Sequence, residues 1–268
     1  MDLKKILLGF FILGLVSTTE AAEVADPANR SIEDIGTCMR VNVFDRGAVR
    51  DVQIKSTDAA GKSKTLKFKV FWKPDKNSDN VRITMQVIQP EKLAGTAYLL
   101  IREGEEERLY IYLTALGKVR QVGGGEMFQT LWGSDLAFSD IKQMQGLLLD
   151  GEVQQGADQE VSGRPVHLLE TATNAEQTGY RLVRSYVDQE SCMLLKAELF
   201  SDGKDPHKVL EADISTLMEI DPWWVVLGYR MTNNRAGTNT EILLSDIYIE
   251  ERLPKSLFSP DGFYINKD

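Results

Sequence analysis

Basic residues, histidine and cysteine are all scarce in this chain, and each shortage removes a class of function. Lysine and arginine total 31 against 40 aspartate and glutamate residues, a formal net charge of −9. Binding to nucleic acid draws most of its affinity from a basic footprint, so this balance argues against it. Direct docking on an anionic leaflet has no more support. The two histidines, His167 and His207, stand singly on strand-like segments with no His-x-His or His-x-x-x-His spacing, which favours structural or surface roles over a metal. No Gly-x-Ser-x-Gly elbow occurs, and Gly123-Gly124-Gly125 is not followed by the Lys-Ser/Thr of a phosphate loop. Spacing therefore offers no nucleophile–base pair, no metal and no cofactor site, and the expectation is a protein that is not an enzyme.

Long apolar runs are also missing beyond the leader. Lys4 and Lys5, the apolar stretch Ile6 to Val16 and the small-x-small pattern Thr19-Glu20-Ala21 read as a signal peptide cleaved after about residue 21. An uncleaved N-terminal anchor is the alternative, although the run is shorter than the roughly 20 residues of a spanning helix. The leader holds two lysines and two acids, so its loss leaves the net charge unchanged. Residues 22–268 are then expected in the periplasm as one soluble β domain, since all-β barrels of about 250 residues are often single. In that oxidising compartment Cys38 and Cys192 could close one disulfide or stay as two buried thiols, and sequence separation does not decide between them.

What is abundant is alternation. Leu66, Phe68, Val70 and Trp72 share one face of a strand and Thr65, Lys67 and Lys69 the other; Val81, Ile83, Met85 and Val87 repeat the pattern opposite Arg82, Thr84 and Gln86. Comparable segments recur to Glu250 with short polar turns between them, predicting a mainly β protein of about 11–12 antiparallel strands. Set into this is Tyr110 to Ile141, where strand-like residues stop at three glycines and a Phe/Leu/Trp-rich segment follows. Phe128, Leu131 and Trp132 fall at helical spacing, and Ser139 is the expected N-cap of a second short helix. A one-faced sheet with so little helix must curl over its own apolar face. The expected cavity lining is Phe68, Trp72, Met85, Leu99 and Leu109, capped by a lid of Phe128, Leu131, Trp132 and Phe138 and hinged at Gly123, Gly124 and Gly125. The same aromatics could instead form a plain core plug. Adjacent Trp223 and Trp224 must point to opposite faces of their strand.

Three ordered motifs carry a resemblance. Tyr112 to Arg120, YLTALGKVR, looks like a "YLPALRKVRR" run; Phe128 to Asp140, FQTLWGSDLAFSD, is similar to "SFMGSDFSYED"; Thr238 to Pro260 follows "GxxTxLxLSDIRxNxxIPDxLFxP". Residues 40 to 265 thereby resemble the LolA/LolB-like superfamily, in its branch of outer-membrane lipoprotein-sorting-like proteins. Thr114, Gln121, the three glycines and Trp223-Trp224 depart from that pattern. The resemblance implies a half-open antiparallel β-barrel wrapped around helices, whose cavity accepts the acyl chains of a lipid or lipoprotein for transport across the envelope. It also implies work beside an exporter of the resistance-nodulation-division type or another inner-membrane transporter. The alternative role is a non-catalytic accessory subunit of such a complex, and a monomer is expected in either case.

Overall fold

Turn chemistry sends the first six strands back and forth as a meander. The computed structural model describes residues 26–75, 78, 80–104, 106–123, 130–144 and 151–265, and the leader falls outside them. The meander is β1 (Ala48–Thr57), β2 (Ser63–Pro74), β3 (Val81–Gln89), β4 (Ala97–Glu103), β5 (Glu106–Leu113) and β6 (Lys118–Val122). Asp58 shapes its first turn by accepting from the backbone N–H groups of Ala60 and Lys62 through one carboxylate oxygen.

The second half runs β7 (Gly151–Gln155), β8 (Gln159–Val161), β9 (Arg164–Thr173), β10 (Leu182–Asp188), β11 (Leu194–Phe200), β12 (Lys208–Ala212), β13 (Leu217–Ile220), β14 (Trp223–Val226), β15 (Gly228–Asn233) and β16 (Thr238–Ile249). Its last strand returns to pair with β1, giving the order β6-β5-β4-β3-β2-β1-β16-β15-β12-β11-β10-β9-β7, with β8 also on β9. All neighbours are antiparallel. The sheet is not closed: β6 and β7 end its two sides. It is an open half-barrel.

Sixteen strands stand among the described residues, more than the 11–12 expected. β7 and β8 are polar and largely exposed, so they carry no apolar alternation to betray them. Alternation predicts continuous strands over His207–Met218 and Trp223–Thr232, and both break at one level. Asp213 caps a turn over Ile214–Thr216, and opposite it a side chain at Gly228 would press on Asp213 and Thr216. Both chains therefore leave the main sheet together, and β13 with β14 forms a separate hairpin.

Among the described residues the α-helices are α1 (Ile32–Val41), α2 (Phe138–Met144) and α3 (Ala175–Thr178). Ser31 and Asp34 form a reciprocal capping box on α1. Its Ile35 and Met39 pack on Leu169 and Val187, and Cys38 joins Cys192 in a disulfide with Cα atoms 5.7 Å apart. Linking residues 154 apart in sequence removes loop entropy from the unfolded chain, worth about 2–5 kcal/mol. Ser139 is not the N-cap of α2. Its hydroxyl donates to the Thr178 carbonyl, while Asp140 reaches back to accept from the Ala137 N–H at 2.7 Å.

The convex face of β3–β5 is not solvated as alternation alone suggests. The C-terminal segment straps it: Thr84 donates to the Leu257 carbonyl, Gln86 to the Phe263 carbonyl and Arg82 to the Phe258 carbonyl. Tyr264 stacks on Tyr112 at 4.1 Å between ring centroids.

Candidate functional site: an apolar cavity between inserted segments

Inward-facing residues of β1–β4, β15 and β16 curve around a cavity of about 160 Å³. Phe68, Val70, Trp72, Ile83, Met85 and Leu100 line the meander side, and Tyr229, Ile242 and Leu244 the returning strands. Three inserted pieces border it, and it stays partly open to solvent. Met39, Val43 and Phe44 come from α1 and the loop after it; Trp224, Val225 and Val226 come from the hairpin; Leu136, Ile141 and Met144 come from the segment spanning 131–144. Buried hydrogen bonds hold these pieces together. The Trp72 indole donates to the Phe44 carbonyl at 2.9 Å, and Asn42 bridges the Ser191 carbonyl to the Trp224 N–H.

The two tryptophans of the hairpin separate as strand geometry requires. Trp223 is buried edge-on against Phe44, with centroids 5.0 Å apart, and Trp224 is half-buried at the cavity.

Of the sheet residues expected in the lining, Phe68, Trp72 and Met85 are there. Leu109 is buried on the same inner face, paired with Leu100, but does not touch the cavity. Leu99 is a correction: it points to the convex face and packs with Ala97, Ile101 and Phe263 beneath the C-terminal strap. Every residue from Ala97 to Ile101 is buried, so apolarity alone cannot say which parity faces inward; Tyr98 and Leu100 do. Leu131 and Trp132 pack on the inner cluster without lining the cavity. Phe128, Gly124, Gly125 and the Phe138 side chain lie outside the described residues. Gly123 directly follows β6 with open space where a Cβ would stand, so packing does not demand glycine there.

Trp132 sits with its ring 4.6 Å from Phe68 and 5.4 Å from Tyr98 between centroids. Its backbone is left-handed, φ 56° and ψ 19°, and its buried Nε1–H interacts with the Tyr98 hydroxyl without forming a well-aligned hydrogen bond. A few residues later every polar group is matched. The Asp135 N–H donates to Thr240 Oγ1, and the carboxylate of Asp135 accepts from Thr238, Thr240 and Asn233. Asp140 accepts from the Tyr180 hydroxyl at 2.8 Å and from Lys208 Nζ at 3.2 Å, while Lys208 also donates to the Asp135 carbonyl at 2.6 Å. Burial, reinforced by the Asp140 charge, pushes the Tyr180 phenol well above its ordinary range and keeps it a donor.

One lining residue is charged, and alternation did not point to it. Arg50 faces inward from β1, across from Val70, with its guanidinium 5.9 Å from the centre of the Trp72 ring. The residue is half-buried, and desolvation of its guanidinium pushes the pKa down to about 10, which still leaves it charged at neutral pH. Its Nε is buried without a partner. In sequence it hides in Ala48-Val49-Arg50-Asp51-Val52, where Asp51 looks like its partner; Asp51 instead pairs with Lys69 at 3.2 Å.

The histidines do packing work. His167 is buried between Asp158 and the Pro27 carbonyl, and His207 contacts the Ser201 hydroxyl at 2.8 Å. Among the described residues no group of three or more His, Cys, Asp or Glu could hold a metal ion, and no helix is long and apolar enough to cross a membrane.

An open antiparallel half-barrel with inserted segments and an apolar interior cavity defines a class, the LolA-like fold, and solved structures bear this out. A DUF1329 family protein from Desulfovibrio piger superposes with a TM-score of 0.75 at 22% identity, over 84% of this chain and 95% of that one. An outer membrane lipoprotein-sorting protein domain from Vibrio parahaemolyticus gives 0.74 at 19% identity, over 86% and 97%. The LolA superfamily protein NE2245 from Nitrosomonas europaea gives 0.65 at 17% identity, over 86% and 98%. No curated protein matches the chain. A family model described as "Uncharacterized protein" matches residues 79–263, and the chain belongs to that family. The resemblance carried by its three motifs is thus matched by its fold.

Proposed function

We propose that the protein is an exported, non-enzymatic carrier that holds an acyl chain of a lipid or lipoprotein in its interior cavity and moves it across the envelope. The observation that carries this is the cavity itself: an apolar space between sheet and inserted segments that the side chains leave unfilled. The leader at residues 1–21 supports cleavage and delivery to the periplasm, with residues 22–268 acting as one monomeric domain. Names of structurally similar proteins, one of lipoprotein sorting and one of the LolA superfamily, point the same way. A transporter of the inner membrane, such as a resistance-nodulation-division exporter, is the partner the family resemblance suggests.

Magnitudes constrain the mechanism. Each buried methylene contributes about 0.8 kcal/mol, so ten give roughly 8 kcal/mol before ordering costs, enough for about micromolar affinity. The cavity of about 160 Å³ is near the size that takes a benzene ring and below the ~300–1,000 Å³ of ordinary ligand pockets. A long chain therefore fits inside in full when an inserted segment yields to enlarge this space. Leu131–Gly133 is the piece with least to lose, because Trp132 stands in left-handed backbone. Gly123, Gly124 and Gly125 are the proposed hinge on its N-terminal side.

Native mass spectrometry of the exported protein tests the proposal. A co-purifying acyl compound released by lipid extraction is expected. Protein that carries none, and takes up none from lipid micelles, would overturn it.

A further inference from the structure

We propose that Arg50 is a head-group site, so that the ligand is a single-chain amphiphile with an anionic end held by the guanidinium and its chain lying in the apolar cavity. This rests on the carrier function above and adds the chemical class of what is carried. The observations concern one side chain and its surroundings. Arg50 belongs to the inward face of β1 with Ala48, Val52 and Ile54, and it neighbours Phe68 and Trp72 across β2. A cation on such a face is expensive in the free protein, because removal from water is repaid only by an opposite charge with good hydrogen bonds. Among the described residues Arg50 has neither: no ion pair, no hydrogen bond, and one contact with the face of the Trp72 ring. Two cations buried more deeply or to a similar degree are matched, Lys208 by Asp140 and Arg164 by Asp188 and Glu190.

Packing alone does not explain an arginine here. An apolar side chain of similar length would fill the space beside Val70 without the charge. What the guanidinium adds is a planar fork of donors shaped for a carboxylate or phosphate, which is strongest where water is excluded. The ring of Trp72 holds the fork from behind and leaves its N–H groups for a ligand. The small cavity volume favours one chain over several.

The test measures binding of dodecanoate, dodecyl phosphate, dodecanol and dodecyltrimethylammonium to the exported full-length protein stripped of bound lipid. Tryptophan fluorescence reads occupancy, since Trp72 and Trp224 line the cavity. The anionic ligands are expected to bind about tenfold to a hundredfold tighter than dodecanol, the range of a charge-assisted contact, and the cationic one weakest. Preference for dodecanoate marks a free fatty carboxylate as the source, and preference for dodecyl phosphate marks a phosphorylated lipid. Arg50→Gln should erase the anionic preference while leaving dodecanol unchanged, and Arg50→Met should unfold at the same or a higher temperature than the parent. Equal affinity for dodecanoate and dodecanol in the unmodified protein overturns the head-group site whatever the variants do, as does an equal loss of both in Arg50→Gln. Failure to bind any of the four would sink the carrier function itself, so the two failures are distinguishable.

Discussion

Within the inserted segment 131–144, two neighbouring stretches are built on opposite terms. Leu131–Gly133 is held by apolar packing of a left-handed tryptophan and by local hydrogen bonds, the Leu131 N–H to the Leu136 carbonyl and Ser134 to the Leu131 carbonyl. Ser134 to Asp140 is pinned by a buried network in which Asp135 and Asp140 reach β12, β15, β16 and Tyr180. Left-handed backbone at a non-glycine residue costs about 1–3 kcal/mol. A matched buried ion pair is the reverse case: its presence adds little, but removing one partner costs about 3–5 kcal/mol. The contrast teaches that this segment is not one uniform lid. One end is an anchor, and the adjoining turn is the piece proposed to move.

The largest expected effect therefore comes from the anchor. Asp140→Ala leaves Lys208 buried without its counter-ion and strands the Tyr180 hydroxyl and the Ala137 N–H; urea unfolding should show a loss of about 3–5 kcal/mol. Trp132→Ala, at a half-buried site, should cost less stability, about 1–3 kcal/mol, yet lower acyl-compound occupancy in native mass spectra at least tenfold. Equal destabilisation by the two variants would erase the distinction between anchor and turn. An accessory subunit with a vestigial cavity would instead keep its pull-down partner when Trp132 is replaced.

The smallest effect is one of pH. His207 lies beside the anchor, and burial, aided by the Lys208 charge and opposed by Asp140, lowers its pKa from the ordinary 6.5. The folded state thus prefers the neutral ring. Its contribution is complete above pH 6.5 and is lost as the pH falls from there through the lowered folded value, because the unfolded chain protonates first. Melting temperatures between pH 7.5 and 5 should fall less in His207→Gln than in the parent. An identical pH dependence in both would remove His207 from the anchor's electrostatics.

Strands with one wet face were readable residue by residue: β2 and β3 follow the parity of Phe68 and Trp72, and of Ile83 and Met85. Parity failed at Leu99, because a strand buried on both sides carries no polar marker of direction. β7 and β8 escaped notice for the opposite reason, since both their faces are wet. At Ser139 a serine before an acidic residue resembled an N-cap, whereas Asp140 does the capping. Asp135 and Asp140 were visible within the Gly-Ser-Asp and Phe-Ser-Asp motifs, but their partners stand about 40 to 105 residues away and no local pattern names them.

The order of residues is enough to dictate antiparallel alternation, a curled one-sided sheet and an aromatic segment to close it. Those features follow from periods of two and from turn chemistry, both local properties of the chain. Only the tertiary structure decided which parity of β4 looks inward, where Cys38 meets Cys192, and that Arg50 faces the cavity while Asp51 turns away to Lys69. Each of these depends on how distant segments share burial and charge. A residue's own neighbours in sequence carry no record of that.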